Sequence, residues 1–482
     1  MPPLTIEPAT WASLERAAGI IQRFSAGITV WGHDDLDGIT SAAIILRALR
    51  RTGRQADYHI PPRSAAHHGL DVRVLEDLLG RGTRLLITVD CGISNRSEVA
   101  AAKGLGIKVV VTDHHEPPEE IPGADALVNP KLPEEPRPTP ELAGCGVALY
   151  LSTLLRGISG GEWLEADDES LAWAALGTVS DRVPLVAENR AIVRAGLSFL
   201  AGNRTLSEAA ETAGIDLSPG LSPLILRRTL APLLGQGESE GFRHRTLELL
   251  LGKPDPEWIK RSKKMLVQGE SELGRQFARL SQNLDPSLPF VLSIDRSLRP
   301  EMAGALASRL RDETGCPAVV AAEKGGLLTG ECRSLLPFDC VEFLGSMAGL
   351  FQQHGGHRQA AGFTVAPGAE EDFARLARDG LERRRGLMSR PQAQPVPKYT
   401  FRRLADVLGI KEELAEAAPF GPGNPMPLAS FEDACLSAGE DTEWWPISRL
   451  LDNRWGKGRP GPGRAFLDIT HAGEIIISTK SL

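Results

Sequence analysis

The chain has 482 residues and a formal net charge of −8, from 54 Lys and Arg against 62 Asp and Glu. That length exceeds one ordinary core and points to two to four domains, while the acidic balance argues against adhesion to nucleic acid over the whole surface and leaves room for a local basic groove. The six cysteines form no CxxC pair, and no apolar run reaches the roughly 18 residues of a membrane span or the pattern of a signal peptide, so a cytoplasmic protein in a reducing compartment with no membrane partner is expected.

In chain order, residues 28–31 read as a strand, 39–51 as a helix, 57–60 as a strand, 71–80 as a helix, 84–89 as a strand, 96–103 as a helix and 107–112 as a strand. Alternation of this kind is the sequence form of βαβ crossovers, so an α/β domain with a parallel sheet is expected over 1–200. Residues 201–284 carry helical periodicity and many basic residues, among them Arg227, Arg228, Arg243, Arg245, Lys260, Arg261, Lys263, Lys264, Arg275 and Arg279, and read as a helical connector. A second, smaller α/β pattern fills 285–384, with a strand at 290–294, a helix at 301–312, a strand at 318–321 and a turn around Gly355-Gly356-His357. Arg-rich then Pro/Gln-rich residues 385–397 resemble a linker, and 398–482 hold short β-like runs that suit a small, OB-like β region.

Three polar clusters each come directly after an apolar run: His33, Asp35 and Asp37, then Asp90, then Asp113, His114 and His115. Buried parallel strands place ligands at their C-terminal ends, so the clusters are expected to converge on one crevice. Crowded carboxylates in a partly dry site repel one another and imply a compensating cation. Alternate residues leaving a strand point the same way, which puts His33, Asp35 and Asp37 on one face, and their carboxylate and imidazole donors favour Mn²⁺ or Mg²⁺ over a structural zinc. Taken singly, Asp90 reads equally as a helix cap, Asp113 with its histidines as a cap beside a surface imidazole, and Asp181 as the partner of Arg182. Two ions bridged by carboxylates would activate water and stabilise the oxygens of a phosphoryl displacement, which makes phosphoester hydrolysis the natural reaction.

The ordered segments His33-x-Asp35-x-Asp37-Gly38, Thr88-Val89-Asp90-Cys91-Gly92, Asp113-His114-His115, Asn129-Pro130 and Gly177-Thr178-Val179-Ser180-Asp181 resemble the motifs of the DHH phosphoesterases. Gly330-Glu331-Cys332-Arg333-Ser334, the Gly355-Gly356-His357 to Gly362 stretch, and Phe420-Gly421-Pro422-Gly423-Asn424-Pro425 make the chain similar to the RecJ single-strand exonucleases within that superfamily. The resemblance implies a pair of Mn²⁺ ions, with Mg²⁺ the alternative, held by His33, Asp35, Asp37, Asp90, His114 and Asp181, with Asp90 as the bridge. It implies His115 near the scissile phosphate with Asp113 in support. It also implies Arg333, Ser334 and His357 on the substrate phosphate, where Gly355 and Gly356 permit close backbone approach, and Arg63 in a further substrate contact.

The activity it implies is 5′→3′ hydrolysis of single-stranded nucleic acid, DNA first, releasing mononucleotides, with repair or replication proteins as partners. The chain departs from the RecJ pattern at Ala231–Gly237, where an Asn-Ala-Ala-Gly-Arg element is usual, and at Leu298–Gly304, where Trp-His-Pro-Gly is usual. These departures set two alternatives beside it: a phosphodiesterase of short oligonucleotides or cyclic dinucleotides, and a non-catalytic nucleic-acid-binding scaffold.

Overall fold

The computed structural model describes residues 11–62, 69–133, 139–157, 168–240, 243–285, 287–387, 397–431, 444–446 and 463–478. The chain divides into two compact units, Met1–Lys264 with Val396–Leu482, and Met265–Pro395.

In the first unit, α1 (Ala12–Ile21) precedes β1 (Ile28–Gly32), α2 (Leu36–Arg51), β2 (Ala56–His59), α3 (Val72–Gly80), β3 (Leu85–Val89), α4 (Arg96–Gly104), β4 (Lys108–Thr112) and β5 (Ala126–Val128). The strands form one parallel sheet in the order β2-β1-β3-β4-β5. Its β-branched residues are buried on both faces. Val30, Ile87 and Val110 pack with α1, α2 and α5 (Gly144–Leu155) on one side, while Trp31, Leu86, Val109 and Val111 pack with α3 and α4 on the other. Parallel strands covered twice in this way read as continuous apolar runs, which is why β1, β3 and β4 are visible in the sequence.

The helices α6 (Asp168–Asp181), α7 (Ala187–Gly202), α8 (Arg204–Thr212), α9 (Pro223–Arg228) and α10 (Leu230–Leu234) extend the same core. A two-residue ribbon, β6 (Ser239–Glu240) with β7 (Arg243–His244), leads into α11 (Arg245–Leu250) and the long α12 (Pro256–Ser281). Several of the connector's cations are matched by carboxylates: Arg245 with Asp255 at 3.2 Å, Lys260 with Glu257 at 2.8 Å, Arg261 with Glu238 at 2.9 Å, and Arg275 with Glu272.

The second unit begins within α12 and continues through β8 (Val291–Ile294), α13 (Ala303–Thr314), β9 (Ala318–Lys324), β10 (Leu327–Arg333), α14 (Cys340–Gly345), β11 (Phe351–His357), β12 (Ala360–Val365) and α15 (Glu370–Arg383). Its sheet runs β11-β12-β10-β9-β8, antiparallel except for the β8–β9 pair.

Near the C-terminus, β13 (Tyr399–Phe401), β14 (Leu428–Phe431), β15 (Trp444–Pro446), β16 (Gly463–Ile469) and β17 (Ile475–Ser478) form a third sheet in the order β13-β14-β16-β17-β15, with α16 (Lys411–Ala417) between β13 and β14 in the chain. Its apolar side, including Phe431, Leu467 and Ile476, joins the core of the first unit. Leu221 and His471 exchange backbone and ring hydrogen bonds across that junction, the Leu221 amide donating to His471 Nδ1 at 2.9 Å. No helix among the described residues is long and apolar enough to cross a membrane.

Candidate metal centre

The C-terminal ends of β1, β3 and β4 deliver the polar clusters to one place. His33 comes directly after β1. The chain enters α2 at Leu36, earlier than the helix expected from residue 39, so strand alternation does not govern residues 33–37. Asp35 is the N-cap of α2, accepting the Gly38 amide at 2.9 Å, and Asp37 lies in the helix's first turn. Gly38 serves close approach, since a Cβ there would lie 2.6 Å from the His33 backbone.

Asp90 comes after β3 with φ 59°, a left-handed conformation that Asp tolerates better than most residues and that concentrates at functional sites. It caps no helix, because α4 starts after Asn95. Asp113 caps none either. Its carboxylate accepts the amides of Ile93 (2.9 Å), His114 (2.7 Å) and His115 (3.1 Å) and bonds His115 Nδ1 at 2.7 Å, fixing that ring.

Asp90 stands between two donor sets. Its Oδ2 is 3.8 Å from His33 Nδ1, which lies 3.1 Å from Asp35 Oδ2. Its Oδ1 is 3.2 Å from His114 Nε2, which lies 3.8 Å from Asp37 Oδ2 and 3.6 Å from Asp181 Oδ2. The sets His33, Asp35, Asp90 and Asp37, Asp90, His114 each converge closely enough to hold one cation. Both Asp90 oxygens are buried and accept no hydrogen bond from the described residues, a costly condition for a carboxylate unless a cation meets it. Buried, unbonded oxygens beside imidazole and further carboxylates fit a pair of hard to borderline divalent ions.

The electrostatics carry the same signature. Burial, then Asp181 and Asp35, pushes the Asp37 carboxyl up to about 7. Burial, then Asp35, Asp37 and Asp181, pushes Asp90 well above the usual carboxylate range. Burial alone would lower His33, but the charge and hydrogen bond of Asp35, with Asp34 and Asp113, raise it to about 9. Burial and the neighbouring His115 lower His114 to about 3, keeping it a neutral donor. Burial would raise Asp113, yet the charge and hydrogen bond of His115 hold it well below its usual value.

Three features of the crevice have roles that the sequence alone does not suggest. Asp34 is buried with Oδ1 3.7 Å from His33 Nε2, where strand alternation would point it away. The amides of Gly144 and Cys145, at the start of α5, each donate to Asp37 at 2.8 Å and hold its carboxylate. Gly144 and Gly177 leave space that a Cβ would fill, at 2.6 Å from Asp90 Oδ1 and 2.9 Å from Asp37 Oδ1 respectively. Glycines at helix positions facing an acidic motif are the available signal.

The Phe420–Pro425 loop braces the segment after Asp181. Leu185 donates its amide to the Pro422 carbonyl at 2.6 Å, a Cβ on Gly421 would lie 2.6 Å from Leu185 Cδ1, and Arg190 donates to the Ala417 carbonyl at 2.7 Å.

Of the remaining expected residues, Arg63 lies outside the described residues. Arg333, Ser334, Gly355, Gly356 and His357 all belong to the second unit. Arg333 ends β10 with its side chain partly exposed. Ser334 departs from the expectation: it is fully buried, its hydroxyl donating to the Phe338 carbonyl at 2.8 Å and accepting from Cys340 Sγ at 3.2 Å, so it holds its own turn and has no donor left for a phosphate. Gly356, with φ 136°, is required by the hairpin, since a Cβ would lie 2.4 Å from the Ala360 carbonyl, whereas Gly355 faces open space and His357 is half-buried on β11.

Residues 27–178 match the N-terminal domain of the DHH family and residues 288–382 match the DHHA1 domain. A single-stranded-DNA-specific exonuclease RecJ of Escherichia coli is 30% identical over 458 residues, covering 86% of this chain and 77% of the relative. The chain belongs to the RecJ family. A RecJ of Bacillus subtilis is 32% identical over 433 residues, covering 85% of this chain but 52% of the relative, so the chain spans about half the length of that RecJ. A crystal structure of an exonuclease RecJ bound to manganese superposes with a TM-score of 0.61 at 27% identity, covering 80% of this chain and 97% of that one.

Proposed function

We propose that this RecJ-family chain is a divalent-metal-dependent phosphodiesterase that shortens single-stranded DNA from its 5′ end and releases mononucleotides. The observation that carries this reading is Asp90, whose two buried oxygens face separate His/Asp sets at 3.8 and 3.2 Å. His33, Asp35 and Asp90 would hold one Mn²⁺; Asp37, Asp90, His114 and Asp181 would hold the other, with Mg²⁺ able to replace it. The RecJ relatives named as single-stranded-DNA-specific exonucleases support the substrate, and the manganese-bound RecJ supports the ion.

When bound, the ions supply Lewis acidity and lower the pKa of water. The chain's own residues do the rest. Asp37 is kept in place by the Gly144 and Cys145 amides, and His114, neutral through burial, keeps its nitrogen lone pair for coordination. His115, fixed through Nδ1 by Asp113, is proposed to hold a proton at Nε2 against the scissile phosphate. Arg333 is proposed to bind substrate phosphate from the second unit. A backbone contact of that kind positions a strand without reading its sequence.

Labelled duplexes with 5′ or 3′ single-stranded tails, incubated with Mn²⁺ or Mg²⁺, test the proposal. Progressive release of mononucleotides from the 5′ tail is expected. Cleavage confined to di- to tetranucleotides would replace this reading with a short-oligonucleotide phosphodiesterase. Tight strand binding without turnover of any nucleotide would replace it with a scaffold.

A further inference from the structure

Glu331 and Arg333 stand two residues apart on β10 and so share the face that the second core leaves partly open. Arg333 Nη1 donates to Glu331 Oε2 at 2.7 Å and to the Cys332 carbonyl at 3.0 Å, which uses both hydrogens of that nitrogen. Nε and Nη2 donate to no group among the described residues. The guanidinium is thereby fixed at one corner with its Nε–Nη2 edge unbonded, the edge that takes two oxygens of one phosphate side by side.

Two glycines flank this pair. A Cβ on Gly304, the second residue of α13, would lie 2.9 Å from Arg333 Nη2 and 3.5 Å from Glu331 Cγ. Gly362, opposite Glu331 in the β10–β12 register, would bring a Cβ to 3.4 Å from Glu331 Oε1. A helix gains nothing from Gly at such a position, where Ala is the better former. The room left for the guanidinium is a reason for Gly304 that backbone stability does not supply. Gly304 also closes the Leu298–Gly304 segment, where the chain departs from the RecJ pattern.

We propose that Glu331 and Gly304 are positioning residues for Arg333, the first anchoring its guanidinium and the second leaving the space that keeps its open edge presented to the phosphate of a nucleotide strand. This rests on Arg333 being a phosphate-binding residue. Neither Glu331 nor Gly304 touches the ligand; they act by removing the freedom that an extended arginine would otherwise lose on binding.

The test is binding of a short, fluorescently labelled, 5′-phosphorylated oligothymidylate to the full chain in EDTA, alongside melting curves and, with Mn²⁺, separate KM and kcat values. Arg333→Ala is expected to weaken binding roughly tenfold or more, as loss of a charge-assisted pair does. Gly304→Ala and Glu331→Ala are each expected to weaken it several-fold, raising KM and sparing kcat. Gly304→Ala is expected to melt at or above the parent temperature, because the one tight contact of the new methyl is with the far end of the flexible Arg333 side chain, and Glu331 Cγ at 3.5 Å is at ordinary packing distance. The double variant Gly304→Ala/Arg333→Ala is expected to bind no worse than Arg333→Ala alone.

If Gly304→Ala and Glu331→Ala bind like the parent while Arg333→Ala is impaired, the positioning inference fails and the role of Arg333 survives. The positioning inference fails equally if the Gly304→Ala loss persists undiminished without Arg333. If Arg333→Ala itself binds like the parent, the phosphate-binding role beneath the inference fails.

Discussion

At the C-terminal edge of the parallel sheet, Asp37 and Asp90 are buried beside Asp35 and Asp181, with His114 held neutral and His33 paired to Asp35. On β10 in the second unit, Glu331 and Arg333 neutralise each other at 2.7 Å and remain partly exposed. The first region is left with more negative charge than its own partners can balance, and its oxygens are withdrawn from water. The second is balanced, and what it leaves over is an unspent hydrogen-bonding edge. A cation site announces itself by frustration and an anion site by preorganisation, and the two ask different things of the surrounding residues.

Replacing Asp90 attacks this contrast where it is greatest. Asp90→Ala is expected to lower turnover by at least about 10³-fold, the scale lost when one member of an interdependent catalytic set is removed. Metal-free, the variant should melt no lower than the parent, because a repelled buried carboxylate has gone. Its melting temperature should no longer rise when Mn²⁺ is added. Retained turnover would end the distinction between the two regions.

Metal removal probes the same difference through stability. Saturation with Mn²⁺ at about 100 times its Kd should add about 2.7 kcal/mol to stability for each ion bound, and EDTA should remove it. Without metal, Asp37, raised to about 7, and His33, raised to about 9, both favour the folded state most when protonated. Their contribution is fully present below their unfolded values and is lost as pH rises through about 7 and about 9. The metal-free melting temperature should therefore fall as pH rises from 3.8, the ordinary value of the Asp37 carboxyl, to about 9, where His33 has lost its proton. Apparent Mn²⁺ affinity should rise as Asp37 sheds its competing proton. A flat metal-free profile, read by calorimetry with and without EDTA, would contradict this picture of the crevice.

A smaller effect is expected where the C-terminal region braces Asp181. Gly421→Val should push against Leu185 and lower Mn²⁺ affinity about tenfold, as changes to the supports of metal ligands do, while leaving the Arg333-dependent capture of oligonucleotide intact. Titration calorimetry and the EDTA binding assay separate the two. Smallest of all is the connector: Arg261→Ala, which loses an exposed pair with Glu238, should change stability by less than about 1 kcal/mol. Its oligonucleotide binding should stay within about twofold of the parent unless the connector lines the strand.

The sheet edge is legible in the sequence because β1, β3 and β4 are buried on both faces and end abruptly in Asp or His. β5 is hidden, since its three residues Ala126–Val128 are too few to carry a periodicity. Asp34 is hidden as well, because alternation extended past Gly32 runs on where the strand has already stopped. The amides that hold Asp37 come from over a hundred residues away, a contact no local pattern encodes. Ser334 shows the converse limit, since adjacency to Arg333 says nothing about which way a side chain turns once β10 ends. The residues Glu331 and Gly304 gain meaning only from a register and a helix approach that the sequence does not display.

Anomalous diffraction at the manganese edge from Mn²⁺-soaked crystals is the shortest route to deciding whether Asp90 bridges two cations. Two peaks are expected, one on each side of the Asp90 carboxylate, the first against His33 and Asp35 and the second against Asp37, His114 and Asp181. No peak at Asp90, or manganese bound only at other side chains, would contradict it.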